Sequence, residues 1–172
     1  TIFLVQEDKP FLVDSLLINL ANLQCSFEVL LHPVLNVHIN QGSKSIESIQ
    51  TVKNKEDSGN PFSVIVLILE KELSPSEEKS VSSVLDVARR NVNLIVHDWP
   101  YMRNQVVQIE ERIQENQAKS IDKHTEEISL FLKKLRENFY TFLGSIILDV
   151  SKGKKLKPLK PALGLFKNIS FN

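Results

Sequence analysis

An apolar run, Ile2-Phe3-Leu4-Val5, is followed at once by Glu7-Asp8-Lys9-Pro10 and then by Leu12, Leu16, Leu20 and Leu23 at helical spacing. This succession constrains the chain more than any other stretch. Residues 2–7 read as a strand and residues 10–24 as a helix, with a tight acidic turn between them. Asp8 suits an N-cap and Pro10 a first turn, because the first amides of a helix have no intrahelical acceptor. Turns of this kind present backbone N–H groups and often receive small anions or amino acids.

A period-two pattern comes next. Phe27, Val29, Leu31, Leu35, Val37 and Ile39 fall on one face, with Glu28, His32, Asn36 and His38 on the other. Pro33 interrupts this half-buried strand and removes a ladder donor, so an edge or a bend is expected there. Residues 41–61, with Gly42, Gly59, Pro61 and many Ser, Lys and Asn, read as a long loop. Val64 to Leu69 is continuously apolar, as in a strand covered on both faces.

Ser74-Pro75-Ser76-Glu77 forms a capping box that opens a second helix, whose stripe is Val81, Val84, Leu85, Ala88, Val92 and Ile95. Strand, helix, strand, strand, helix is the start of a ferredoxin-like βαββαβ unit. The closing strand does not follow directly. Trp99 to Glu115 is instead helical, with Met102, Val106, Ile109 and Ile113 as its stripe, and a third helix carries Ile128, Phe131, Leu132, Leu135 and Phe139. The closing strand is assigned to Thr141–Val150. The expected class is α+β, a βαββα(β) sandwich over residues 1–97, a helical hairpin over 98–140, and a strand or hairpin over 141–172 that returns to the sheet and begins a linker.

Charge and composition exclude several functions. Lys and Arg number 21, as do Asp and Glu, and a net charge of zero argues against nucleic acid or an anionic membrane as partner. Cys25 is the only cysteine, which rules out an intrachain disulfide, fits a cytoplasmic setting and reads as a buried structural thiol. No apolar run approaches the roughly 20 residues that cross a bilayer. The first residues lack the basic segment of a signal peptide. Both ends read as interrupted, so a piece of a longer protein is expected.

The chemistry is sparse. The five glycines, at 42, 59, 144, 153 and 164, build no phosphate-cradling turn, and no catalytic residue is assigned. Of the four histidines only His32 and His38 share a strand face, and a rise of about 3.3 Å per residue separates them too far for one metal. Lys152, Lys154, Lys155, Lys157 and Lys160 read as a solvated hairpin, and Trp99 and Tyr101 as a staple holding a helix to the domain.

Four further segments accompany the first turn: His32-Pro33-Val34-Leu35, Asp98-Trp99-Pro100, Phe139-Tyr140-Thr141-Phe142-Leu143-Gly144 and Gly164-Leu165-Phe166. In this order and spacing the chain resembles the N-terminal region of the large bacterial NAD-specific glutamate dehydrogenases. The βαββ order with Asp8-Lys9-Pro10 at its first turn also looks like an ACT module, a regulatory unit that binds amino acids. The resemblance implies a non-catalytic regulatory or assembly segment, with NAD bound elsewhere in the parent and no cofactor or metal here. Its implied partners are the rest of the parent chain, further copies in a homo-oligomer and an amino-acid effector. A free-standing protein-interaction or amino-acid-sensing module is the alternative. An effector site would fall on Asp8, Pro10, Phe11 and Asp14. Phe11 stands where effector-binding ACT modules usually carry glycine, and its ring is expected to pack inward as a staple.

Overall fold

The computed structural model describes residues 1–40, 42–51, 60–117, 123–137, 139–149 and 157–169. These divide into two units, Thr1–Val92 and Asn93–Asn172, and the division falls inside a helix.

In the first unit β1 (Ile2–Glu7) leads to α1 (Leu12–Asn22), then β2 (Phe27–Leu31), β3 (Val34–Ile39), β4 (Ile46–Thr51), β5 (Asn60–Leu69) and the start of α2 (Pro75–Gln117). The sheet runs β1-β5-β3-β4, and β2 also pairs with β5. All pairings are antiparallel, with Ile2 opposite Leu67 and Val34 opposite Ser63. β5 is therefore the hub of the unit, since β1, β2 and β3 all pair with it. Ser63, Ile65 and Leu67 alternate along β5 as its buried face, and α1 buries Leu12, Leu16 and Leu20, as their spacing requires. Val81, Leu85, Ala88 and Val92 are the buried stripe at the start of α2.

Pro33 marks a bend, with β2 and β3 on either side of it and the Pro33 carbonyl accepting from Val64 N–H at 3.0 Å. The expected long loop is partly a strand. The Asn40 side-chain oxygen accepts from the amides of Gly42 (2.9 Å) and Ser43 (3.0 Å), closing a tight turn from which β4 runs back along β3. The remainder of that loop, 52–59, lies outside the described residues.

The capping box forms as its residues require. Ser74 N–H donates to the Glu77 carboxylate at 2.8 Å, and the Ser74 hydroxyl does so at 2.7 Å. Those bonds, Ser74's amide first, hold the Glu77 carboxyl down at about 2.

The second unit departs from expectation more. α2 does not end at Asp98-Trp99-Pro100 but runs unbroken to Gln117 with Pro100 inside it. An interior proline deletes one backbone bond and costs about 3 kcal/mol. Here side-chain contacts hold both sides of that gap. Asp98 and Met102 are buried, and the Trp99 ring lies 5.3 Å from that of Phe142. α3 (Lys123–Arg136) follows, shorter than the span to residue 140 that its stripe suggested. Arg136 contacts Glu110 of α2 at 3.3 Å.

The strand assigned to Thr141–Val150 does not join the five-stranded sheet. β6 (Gly144–Ser145) pairs with β9 (Leu163–Gly164), and β7 (Leu148–Asp149) with β8 (Lys157–Pro158), as separate two-residue ladders. A 3-10 turn, Leu165–Asn168, follows. The basic cluster at Lys152, Lys154 and Lys155 lies outside the described residues.

Asp98 organises this unit. It is 1% exposed and accepts from Gly164 N–H at 2.7 Å, from Lys167 Nζ at 2.7 Å and from His97 Nδ1 at 3.0 Å. Burial by itself pushes its pKa up. The bonds from Lys167, Gly164 and His97, with the charge of Lys167, overcome that and bring it down to about 2 from the ordinary 3.8.

Candidate functional site

The turn from β1 to α1 is built by three neighbouring elements. β1 delivers Gln6 opposite Ser63 of β5, and Asp8 N–H extends the ladder by donating to the Pro61 carbonyl at 2.8 Å. The chain then turns through Lys9, Pro10 and Phe11 before α1 begins at Leu12.

Asp8 is thus not the N-cap. That position belongs to Phe11, at φ 65° and ψ 3°, with no side-chain cap bond. A left-handed conformation disfavours an L-residue by about 1–2 kcal/mol and is the natural conformation of glycine. So Phe11 occupies a backbone geometry suited to the residue that effector-binding ACT modules usually carry there. The ring is not an inward staple either, because Phe11 is 50% exposed.

Asp8 has a different partner. Its carboxylate accepts from the Ser63 hydroxyl at 2.5 Å, and His32 Nε2 lies 2.9 Å from the same oxygen. A serine between a carboxylate and an imidazole has its proton committed to the carboxylate. The histidine then donates to the serine oxygen rather than abstracting from it. Ser63 is fully buried, so this chain of bonds ties the β2–β3 bend and β5 to the turn and presents no nucleophile. Beside it, both polar atoms of the Gln6 amide are shielded from solvent and have no hydrogen-bond partner among the described residues. Lys9 Nζ lies 3.7 Å from the Glu7 carboxylate. Asp14, in the first turn of α1, is exposed.

Of the four residues expected at an effector site, the structure places Asp8, Pro10 and Phe11 in one turn and Asp14 on the helix that leaves it. Sequence reasoning missed Ser63 and Gln6. The available signal was a polar residue on each of two otherwise apolar strands, but their juxtaposition depends on β1 pairing with β5.

No group of three or more metal-ligating side chains occurs among the described residues, and no described helix is long and apolar enough to cross a membrane. Cys25 is buried and free. A dinucleotide does not fit the β1–α1 turn, whose Asp8-Lys9-Pro10-Phe11 has bulky side chains where a pyrophosphate needs glycine.

Residues 1–85 match the family described as "Glutamate dehydrogenase, ACT1 domain". Over 148 residues the chain is 28% identical to the NAD-specific glutamate dehydrogenase of Halomonas elongata, covering 83% of this chain and 9% of that relative. The chain therefore spans about a tenth of the length of the curated relative it matches. No solved structure matches it significantly. The likeness to the N-terminal ACT-like region of NAD-specific glutamate dehydrogenases, read first from the sequence, is thereby shown, with the ACT1 match lying over residues 1–85.

Proposed function

We propose that this chain is a non-catalytic regulatory or assembly segment of a cytoplasmic NAD-dependent glutamate dehydrogenase. The parent would convert L-glutamate, NAD and water to 2-oxoglutarate, ammonia and NADH. In this reading the βαββα half is a ferredoxin-like, ACT-type sandwich. The helical part over 98–140 is a hairpin, and the remainder leads toward the next domain. The partners are the rest of the parent chain and further copies of it. The observation that carries the reading is that the family match covers the same residues that fold as β1-α1-β2-β3-β4-β5 and enter α2. Supplied with glutamate and NAD, the purified chain is expected to form no NADH; sustained turnover would sink the reading.

Within that role we read the β1–α1 turn as structural rather than sensing. An amino acid bound there would set its carboxylate on the first amides of α1 and its ammonium on Asp8 or Asp14. Asp8, however, is engaged by Ser63, and the Phe11 side chain stands where a glycine would leave room. Calorimetric titration with a panel of amino acids is expected to give no heat with the unaltered chain. Phe11→Gly relaxes the left-handed strain, holds stability within about 1 kcal/mol, and is expected to open binding if the ring occludes a pocket. Sub-millimolar binding by the unaltered chain would overturn the structural reading and leave the glutamate dehydrogenase assignment untouched.

A further inference from the structure

β1 forms one edge of the sheet. Asp8 N–H donates inward to Pro61, and the antiparallel register carries that parity along β1. The amides of Leu4 and Gln6 therefore face β5, while the N–H and C=O groups of Phe3, Val5 and Glu7 point outward. Among the described residues no strand pairs with this outer edge. A split βαβ arrangement would lay a final strand there after its second helix, but α2 continues as helix instead.

The place such a strand would fill is a cleft. A cavity of about 720 Å³ lies between β1, the end of β5 and the first turns of α2, with Ile2, Leu4, Leu73, Val81 and Leu85 among its lining. Four carboxylates, Glu70, Glu72, Glu78 and Asp86, also line it, together with Lys71 and the amino end at Thr1; Lys71 is paired with Glu77 at 3.2 Å and Asp86 with Arg89 at 3.4 Å. An unpaired edge beside an apolar, acid-rimmed cleft has the geometry of strand addition.

We propose that the outer edge of β1 accepts an extended polypeptide strand in trans, apolar toward the cleft and flanked by lysine or arginine. Its main chain pairs with Phe3, Val5 and Glu7, its apolar side chains enter beside Ile2 and Leu4, and its basic ends meet the carboxylates. Charge excludes a second copy of β1 from the same place. Laid antiparallel, it brings Glu7 and Asp8 toward Glu70 and Glu72; laid parallel, it sets Glu7 beside Glu7. The proposal does not depend on the parent's activity.

The test uses the full 172-residue chain and a fluorescein-labelled peptide of alternating valine and threonine closed at each end by two lysines. A control peptide is closed by glutamates. The lysine form is expected to raise anisotropy, to weaken with salt, and to bind at least about tenfold more tightly than the control. Val5→Pro removes only an outward donor, which an edge strand tolerates, and is expected to weaken binding about tenfold with unchanged melting. Should that variant fold poorly, the double variant Glu78→Lys, Asp86→Lys is expected to show the same loss without touching the edge. Amide exchange at Phe3, Val5 and Glu7 should slow on binding, and that of Leu4 should not. Absence of binding at millimolar peptide, equal binding of both peptides, or undiminished binding by folded Val5→Pro would overturn the proposal. So would a dimer in sedimentation that Val5→Pro abolishes, because the edge would then belong to a second copy.

Discussion

Gly164→Ala is expected to unfold the second unit or weaken it by at least about 3 kcal/mol. Gly164 sits at φ 58° and ψ −140°, a combination open to glycine and strained for any residue with a Cβ. The clash compounds the strain. An added Cβ would collide with the Leu143 carbonyl oxygen, just before the paired strand, and lie 2.8 Å from Gly144 Cα within it. Relief requires β6 and β9 to part, which also pulls the Gly164 amide off Asp98. Trp99 is the only tryptophan and belongs to this unit, so its fluorescence during urea unfolding isolates the effect. A midpoint unchanged from that of the unaltered chain would refute it.

Asp98→Ala should cost about 2–3 kcal/mol, mainly the cost of leaving a buried donor without its acceptor. The substitution leaves the buried Gly164 N–H without an acceptor, whereas the Lys167 side chain, 38% exposed, can turn to solvent. Asp98→Asn keeps an acceptor for one of them and should cost less. The pH dependence separates charge from packing. The folded pKa of about 2 lies below the ordinary 3.8, so the contribution is complete above the ordinary value and is lost as pH falls through the folded one. That difference is worth on the order of 2 kcal/mol. The unaltered chain should therefore lose stability between about pH 4 and pH 2, and Asp98→Asn should lose less over the same window. Parallel acid profiles for the two proteins would show that the charge contributes nothing.

The elements that declare themselves in the sequence are those whose burial is periodic. Leu12, Leu16 and Leu20 are buried as their spacing demands, and Ser74 with Glu77 marks the start of α2. β4 was hidden for the opposite reason. Its two isoleucines, Ile46 and Ile49, are three apart and both exposed, so an edge strand left no apolar alternation to read. The continuity of α2 through Pro100 was not legible, because the contacts that hold it there come from Phe142 and from Gly164, far along the chain. The candidate site divides in the same way. Asp8, Pro10 and Phe11 are contiguous and legible. The αL backbone of Phe11, the bond from Ser63 and the unpartnered Gln6 amide all depend on which strand lies beside β1.

The central place of β5 bears on how this chain is made. The ribosome delivers β1 and α1 first, at about 5–20 residues per second, and β5 seconds later. Until then Ile2 has no Leu67 to face, and the α1 leucines have no sheet to cover. The hairpin of β3 and β4, closed by Asn40, involves only near neighbours and is free to form during that wait. Emergence of Asn60 to Leu69 then gives β1, β2 and β3 their common partner. Throughout the interval an apolar strand and an apolar helix face wait in solution, and chaperones have most to shield before the tenth residue of β5 leaves the tunnel.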